Sequence, residues 1–165
     1  GAMIIPFQSI MTPLYIDMTK WGLLNTLHGF IMAKIGFQIA FTVLLVSGFV
    51  KSIPRELEEA AIIDGCGPLG TFIRIMVPIS YPGIVTATSM ALFMSWGDMV
   101  FSLTFLNQEK LKTLPLILYK AMGELGVRWE ILMAYSTVVV LPIVIVFICL
   151  QKYIVSGLTA GSVKG

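Results

Sequence analysis

The chain has 165 residues, of which 57% are hydrophobic and only 12% are charged, and its mean hydropathy is +0.91. Soluble domains carry about 25% charged residues, so a water-soluble domain of this size would expose apolar surface that aggregates. A net charge of +2 without a cluster of Lys and Arg argues against a nucleic-acid partner. The composition therefore predicts an integral membrane protein.

Four apolar segments approach or reach the length of about 20 residues that a bilayer-spanning helix needs. They run, in chain order, over residues 3–18, 29–50, 79–106 and 131–153. The first is short and starts at the chain terminus, so we expect it to be the remainder of a longer span. Lys34 and Gln38 interrupt the second, and we expect Lys34 to reach the membrane interface by snorkelling. The fourth contains Pro142, which a membrane helix tolerates when neighbouring groups satisfy the carbonyl that it frees.

No internal repeat or low-complexity tract divides the chain. We therefore predict one all-α, polytopic membrane domain over residues 1–165, with about four transmembrane helices and a helical loop at residues 51–78. Five Lys and Arg residues fall on one predicted side of the membrane and six on the other. The positive charge that marks the cytoplasmic side therefore does not decide the orientation. Cys66 and Cys149 form no CxxC pair and are expected to be reduced, structural thiols, and His28 stands alone without other metal ligands.

The polar connection over residues 51–78 carries strong helix signals. Ser52 lies at its start, and Pro54 fits the first turn of a helix. Three glutamates follow in the early turns, where they complement the positive end of the helix dipole. Gly65 is placed to end this helix in a left-handed conformation. A second short helix is expected over residues 69–76, ended by the proline that follows.

One face of the first loop helix is predicted to present Leu57, Ala60, Ala61 and Asp64, which recur at helical spacing. The two alanines make this face thin, so another protein surface can approach the backbone closely. Amphipathic helices that lie on a membrane surface usually carry a basic polar face. The polar residues here are acidic and would be repelled by anionic lipid, which favours a protein partner over a surface hairpin.

The spacing of this connection is that of a recognisable motif. An EAA triplet at residues 59–61 is followed after three residues by a glycine, and an I-x-V-P sequence begins nine residues later. A chance match at this many fixed positions is rare, on the order of one in a million per start position. The connection resembles the EAA loop of ATP-binding-cassette (ABC) importer permeases. The segments 51–54 and 95–98 also resemble the maltose-type, multiple-sugar subfamily, and in particular the second of its two unlike permease subunits.

The resemblance implies a bacterial inner-membrane subunit of a sugar importer. Its implied partners are a second permease subunit, cytoplasmic ABC ATPase subunits and an extracytoplasmic sugar-binding protein, all assembled in the lipid bilayer. The loop at residues 51–78 would face the cytoplasm and dock on an ATPase subunit. Permeases of this type typically have six spans, so the first two are expected to be missing here. The residues expected to couple to the ATPase are Glu59, Ala60, Ala61, Asp64, Gly65, Ile75, Val77 and Pro78.

The resemblance implies no enzymatic activity and no cofactor for this chain. ATP would be bound by the partner, since the sequence has no GxxxxGK[ST] phosphate-binding loop. No cluster of His, Cys, Ser or paired carboxylates lies at catalytic spacing. Two alternatives stay open: an ABC permease for another solute, such as a polyol or a sugar phosphate, and a non-transporting membrane scaffold or channel subunit.

Three polar residues within the apolar segments are candidates for the translocation path. Asp98 is an acid inside an apolar stretch, and such acids are functional candidates by default. It could instead end a helix near the outer boundary of the membrane. Trp96 could stack on a sugar ring, although we favour an anchor at the membrane interface. Gln38 could line the path or bond a neighbouring helix.

Overall fold

A computed structural model describes residues 6–122 and 129–160, without the side chains of residues 7, 8 and 155–160. Residues 3–5 of the first predicted span therefore lie outside the described part. Over the described residues the chain is all-α and contains no β-strand, as the sequence predicts. Within this described part the α-helices are α1 (Phe7–Lys20), α2 (Leu27–Lys51), α3 (Glu56–Ile63), α4 (Pro68–Thr71), α5 (Val77–Trp96), α6 (Val100–Phe105), α7 (Leu114–Ala121) and α8 (Trp129–Ala160). A π-helical segment covers Phe72–Met76, and a 3-10 turn covers Glu109–Leu111.

Three helical stretches of the described chain are long and apolar enough to cross a membrane: Leu27–Lys51, Pro68–Trp96 and Trp129–Ile154. They confirm the polytopic character of the protein and the spans predicted over residues 29–50 and 131–153. The span predicted over residues 79–106 lies instead at Pro68–Trp96, so it starts and ends about ten residues earlier. The first predicted span forms only the 14 described residues of α1. At 1.5 Å per residue this helix is about 21 Å long, shorter than the hydrocarbon core of about 30 Å.

The chain divides into two compact units, and α2, α5 and α8 each contribute residues to both. The first unit comprises residues 1–40 and 92–146. Its buried core contains Met18, Ala33, Phe101 and Phe105, and the last two rings stack with centroids 5.8 Å apart. In the turn between α1 and α2, the N–H of Asn25 donates to the carbonyl oxygen of Phe105 at 3.0 Å, and the φ of Asn25 is +59°. Asparagine is one of the few residues other than glycine that tolerate this conformation.

The second unit comprises residues 41–91 and 147–165. Here α5 packs closely on α2, because a Cβ atom added to Gly83 would lie only 2.3 Å from Cγ of Phe49. The C-terminal part of α8 is attached to α5 by two contacts. The Thr86 hydroxyl lies 2.9 Å from the carbonyl oxygen of Tyr153, and the rings of Tyr81 and Tyr153 meet edge to face at 5.7 Å. Small residues and hydroxyl bonds of this kind commonly join helices within membranes.

The second short helix predicted to end at Pro78 is instead continuous with the membrane helix. The helical run from Pro68 to Trp96 is 29 residues long without a break. Pro78 has no N–H, and in a regular α-helix its ring would conflict with the carbonyl group of Arg74, four residues earlier. Arg74 lies in the π-helical segment, whose wider turn changes the hydrogen-bond pattern at this point. The helix therefore passes through the proline, and the prediction of a separate helix is wrong.

Candidate functional site

The loop helix α3 starts later than its sequence signals indicate. We expected Ser52 at its start, but the Ser52 hydroxyl donates to the carbonyl oxygen of Phe49 at the end of α2, at 2.7 Å. Because a proline disfavours helical geometry in the residue before it, Pro54 delays the new helix. In the first hydrogen bonds of the loop helix, the N–H of Leu57 donates to the carbonyl oxygen of Pro54. The N–H of Glu58 donates to that of Arg55.

The end of α3 confirms the left-handed glycine predicted from the sequence. Gly65 has a φ of +83°. Its N–H donates to the carbonyl oxygen of Ile62 at 3.0 Å, and the N–H of Cys66 donates to that of Ala61 at 3.0 Å. These two bonds define a Schellman motif, which satisfies carbonyl groups that the last turn of a helix leaves open. The turn fixes the direction in which the chain leaves α3.

The predicted alanine face of α3 is only partly open. α3 packs against α4 and the π-helical segment. Ala61 is 5% exposed, so the expectation that it lies on an open face is wrong. Its small side chain allows the two halves of the loop to approach each other. Ala60 and Leu57, which share the predicted face, are exposed.

The other predicted coupling residues are mostly accessible in the structure. Glu56, Glu58 and Glu59 lie in the first turn of α3. The exposed members of the predicted set are Glu59, Ala60, Asp64, Gly65, Val77 and Pro78. Ile75 is half-buried within the π-helical segment. The second unit therefore holds all eight predicted coupling residues, with one of them buried.

Sequence reasoning missed a set of exposed apolar side chains in the same loop. Ile63 is 85% exposed and Leu69 is 71% exposed, and Ile62, Phe72 and Ile73 are also exposed. We call these five residues the apolar loop residues. Leu69, Phe72 and Ile73 recur at i, i+3 and i+4 within the helical run that starts at Pro68, so a helical period did signal them, whereas Ile62 and Ile63 are adjacent at the end of α3. Exposed apolar side chains gathered in one surface region commonly mark an interaction site.

The three candidate path residues lie in the first unit, and each is bonded to another helix or turn. The amide nitrogen of Gln38 donates to the Ser95 hydroxyl at 2.9 Å, which is the helix-bonding alternative considered for this residue. The indole N–H of Trp96 donates to the carbonyl oxygen of Val139 at 2.9 Å. The role of Trp96 as an interfacial anchor stays a prediction.

Asp98 lies in the turn between α5 and α6 and pairs with Lys34 of α2. The Nζ atom of Lys34 is 3.1 Å from Oδ2 of Asp98, and the two side chains are only 10% and 15% exposed. The expectation that Lys34 snorkels to the interface is therefore wrong. A lysine satisfied by a buried carboxylate no longer needs to extend toward water.

Residues 2–160 match the family described as binding-protein-dependent transport system inner membrane component. The chain belongs to this family. This membership and the apolar helices place the protein in the bacterial inner membrane, and they confirm the resemblance to ABC permeases. Transport subunits, rather than enzymes, make up this family.

Curated relatives align with almost the whole chain. A probable ABC transporter permease protein of Bacillus subtilis is 38% identical over 165 residues, which is 100% of this chain and 55% of the relative. The sulfoquinovosyl glycerol transport system permease protein of Agrobacterium fabrum is 34% identical over 97% of this chain and 56% of its own length. The melibiose/raffinose/stachyose import permease protein of Bacillus subtilis is 37% identical over 99% and 59%. The chain thus spans about half the length of the curated relatives it matches.

Proposed function

We propose that this chain forms part of the translocation path of a binding-protein-dependent sugar importer, and that residues 51–78 couple the path to a cytoplasmic ATPase subunit. One observation carries the proposal. The second half of the loop, beginning at Pro68, continues as helix into the membrane-spanning α5 without a break. A movement of the loop is therefore a movement of α5.

Mechanical continuity makes the loop suited to transmit force. A helix is stiff because each turn is tied to the next by backbone hydrogen bonds. α3 is joined to this helix by the Schellman turn at Gly65 and by its packing on α4 and the π-helical segment. Further along α5, Thr86 and Tyr81 contact Tyr153 in α8. Displacement of the loop would reach two membrane helices of the second unit as a rigid-body motion.

The surface of the loop has the chemistry of a protein-docking site. The apolar loop residues supply area whose burial is favourable, and an interface typically draws most of its energy from a few such central side chains. The glutamates of the first turn of α3 are exposed in the same loop. The ATPase subunit would offer an apolar cleft with basic groups on its rim. ATP binding and hydrolysis would occur in that partner, and this chain would need no cofactor of its own.

A carbohydrate is the solute class that the relatives support. Their names refer to sulfoquinovosyl glycerol and to melibiose, raffinose and stachyose, all of which are glycosides. A second permease subunit and a sugar-binding protein would complete the importer. Gln38 and Trp96 remain candidates for the path, although their polar groups are engaged with neighbouring helices. The third candidate, Asp98, is engaged by Lys34.

The proposal is tested by charge reversal on α3 in the complete transporter. Glu59→Lys changes the EAA triplet, whereas Glu58→Lys makes the same change in the same exposed first turn. Both variants lose the same interaction with the helix dipole, worth about 0.3–1 kcal/mol. We expect Glu59→Lys to lower solute uptake at least about tenfold, equivalent to 1.4 kcal/mol of docking energy, and Glu58→Lys to lower it less.

Two further measurements separate docking from misfolding. The abundance of the subunit in the membrane should be normal in both variants. The ATPase subunit should either dissociate from the Glu59→Lys transporter during purification or hydrolyse ATP without responding to the loaded binding protein. Normal uptake in Glu59→Lys would show that the EAA triplet is only part of a linker.

A further inference from the structure

The buried ion pair between Lys34 and Asp98 is the charged contact that joins the first part of α2 to the turn after α5. Its two charged atoms are 3.1 Å apart. The Lys34 ammonium also lies 5.1 Å from the ring centroid of Phe101, within the range of a cation–π interaction. Phe101 is itself 2% exposed and belongs to the core of the first unit. The ammonium is thus held between a carboxylate and a packed ring.

A pair in this position contributes more to geometry than to stability. Removing two charges from water costs several kcal/mol per ion, and their attraction offsets this only when the geometry is good. A well-packed apolar pair would often stabilise a fold as well or better. An ion pair differs from an apolar contact because only one alignment of the two helices satisfies both charges. A shifted alignment would leave an unpaired charge in an apolar region.

A second polar contact fixes the same alignment. Gln38 lies four residues after Lys34, so both side chains project from one face of α2. Ser95, the partner of Gln38, lies three residues before Asp98. The two contacts are therefore neighbours along one line between α2 and the end of α5. A slip of α2 by one helical turn, about 5.4 Å, would break both of them.

We propose that Lys34 and Asp98 are positioning residues that hold α2 in one register against the end of α5, and that transport requires this register. The requirement of this register for transport rests on the proposed function. The positioning of α2 by the ion pair does not. Asp98 then acts on transport through the position of α2 and does not itself contact the solute.

The register is measured directly by cross-linking in membranes. Gln38→Cys and Ser95→Cys are introduced into the full-length subunit after replacement of Cys66 and Cys149, and a short bifunctional thiol reagent joins them. These substitutions remove the Gln38–Ser95 bond, so the ion pair is the one of these two polar contacts that remains. We expect Asp98→Asn to reduce the cross-linked fraction at least about fivefold, because it leaves the Lys34 charge buried without its partner. Asp98→Glu keeps the carboxylate and should cross-link within about twofold of the parent protein.

Uptake kinetics on the complete transporter, with residues 38 and 95 unchanged, form the second arm. Asp98→Asn should lower the maximal rate at least about tenfold and leave the half-saturating solute concentration within about twofold, since a lost register does not remove a solute contact. Lys34→Met should do the same. The double variant should lose no more than the worse single variant, because the two residues act as one pair.

Three results would overturn the proposal. Unchanged cross-linking in Asp98→Asn would show that the pair does not set the register. A raised half-saturating concentration at an unchanged maximal rate would place Asp98 in the solute path instead. If the double variant lowered the maximal uptake rate by the product of the two single factors, the two residues would act separately. If the unaltered transporter takes up no carbohydrate, the proposed function fails, while the cross-linking arm still decides the role of the pair.

Discussion

Replacing Gly65 with valine changes the turn that sets the angle between the two halves of the coupling loop. A Cβ atom at this position would meet nothing within 4 Å, so no steric contact with the rest of the fold opposes the substitution. The penalty comes from the backbone, whose φ is +83°. A residue with a Cβ atom costs about 1–2 kcal/mol in a left-handed conformation.

Gly67→Val is a matched control in the same turn. A Cβ atom at Gly67 also meets nothing within 4 Å, but φ is −71° and ψ is 166°. This extended conformation is the one that a residue preceding a proline prefers. Substitution of a glycine whose conformation suits other residues is neutral, or stabilises by about 0.4–1 kcal/mol. The two variants therefore differ chiefly in backbone strain, and Gly67→Val in addition replaces the N-cap glycine of α4, a position that disfavours valine.

Hydrogen exchange in lipid nanodiscs measures the strain where it acts. The N–H of Cys66 is protected by its bond to the carbonyl oxygen of Ala61, and it exchanges when the turn opens. A penalty of about 1–2 kcal/mol raises the open fraction roughly 5- to 30-fold, so we expect exchange at Cys66 to accelerate by that factor in Gly65→Val. Gly67→Val should leave the exchange rate at Cys66 unchanged or lower it. In the complete transporter, Gly65→Val should also reduce uptake at normal abundance.

Equal exchange rates in the two variants would refute this reasoning. They would mean that the left-handed conformation of Gly65 does not hold the turn closed. Gly65→Asn gives an independent check, because asparagine adopts this conformation more readily than valine. Its exchange rate at Cys66 should fall between those of the unaltered protein and Gly65→Val.

Two further predictions concern packing and sidedness. Gly83→Leu should lower the thermal unfolding temperature in detergent, because its Cβ atom would lie 2.3 Å from Phe49 and overpacking costs about 1–3 kcal/mol. Gly48→Leu, also within a helix but in open space, should not lower it, and an equal drop in both would contradict the packing argument. The sidedness test uses single cysteines in a protein with Cys66 and Cys149 replaced. A cysteine at Ser52 should react with an impermeant reagent only from the cytoplasm, and one at Gln108 only from outside. Labelling of both from one face would mean that the stretch between them does not cross the membrane.

The sequence by itself determined the features that depend on composition or on neighbours along the chain. A hydrophobic fraction of 57% leaves the membrane as the solvent in which such a chain is stable. The left-handed Gly65 was predictable because a helix end is decided within one turn, and the EAA spacing is likewise a local pattern. Two of the spans followed from length and apolarity alone.

Only the tertiary structure decided which polar groups meet across the fold. Gln38 and Ser95 are 57 residues apart in sequence, and Trp96 and Val139 are 43 apart. No local pattern encodes such contacts, because they depend on which faces of separate helices come together.

The errors of sequence reasoning have the same origin. Lys34 looked free to snorkel because its partner, Asp98, lies far along the chain. Ala61 looked exposed because α3 was considered without the second half of its own loop. The helix passes through Pro78 because a π-helical segment precedes it, and a local pattern does not reveal a change of helical turn. Local signals correctly predicted the end of α3 at Gly65, whereas the free energy of a buried charge or a thin helix face depends on what the fold places beside it.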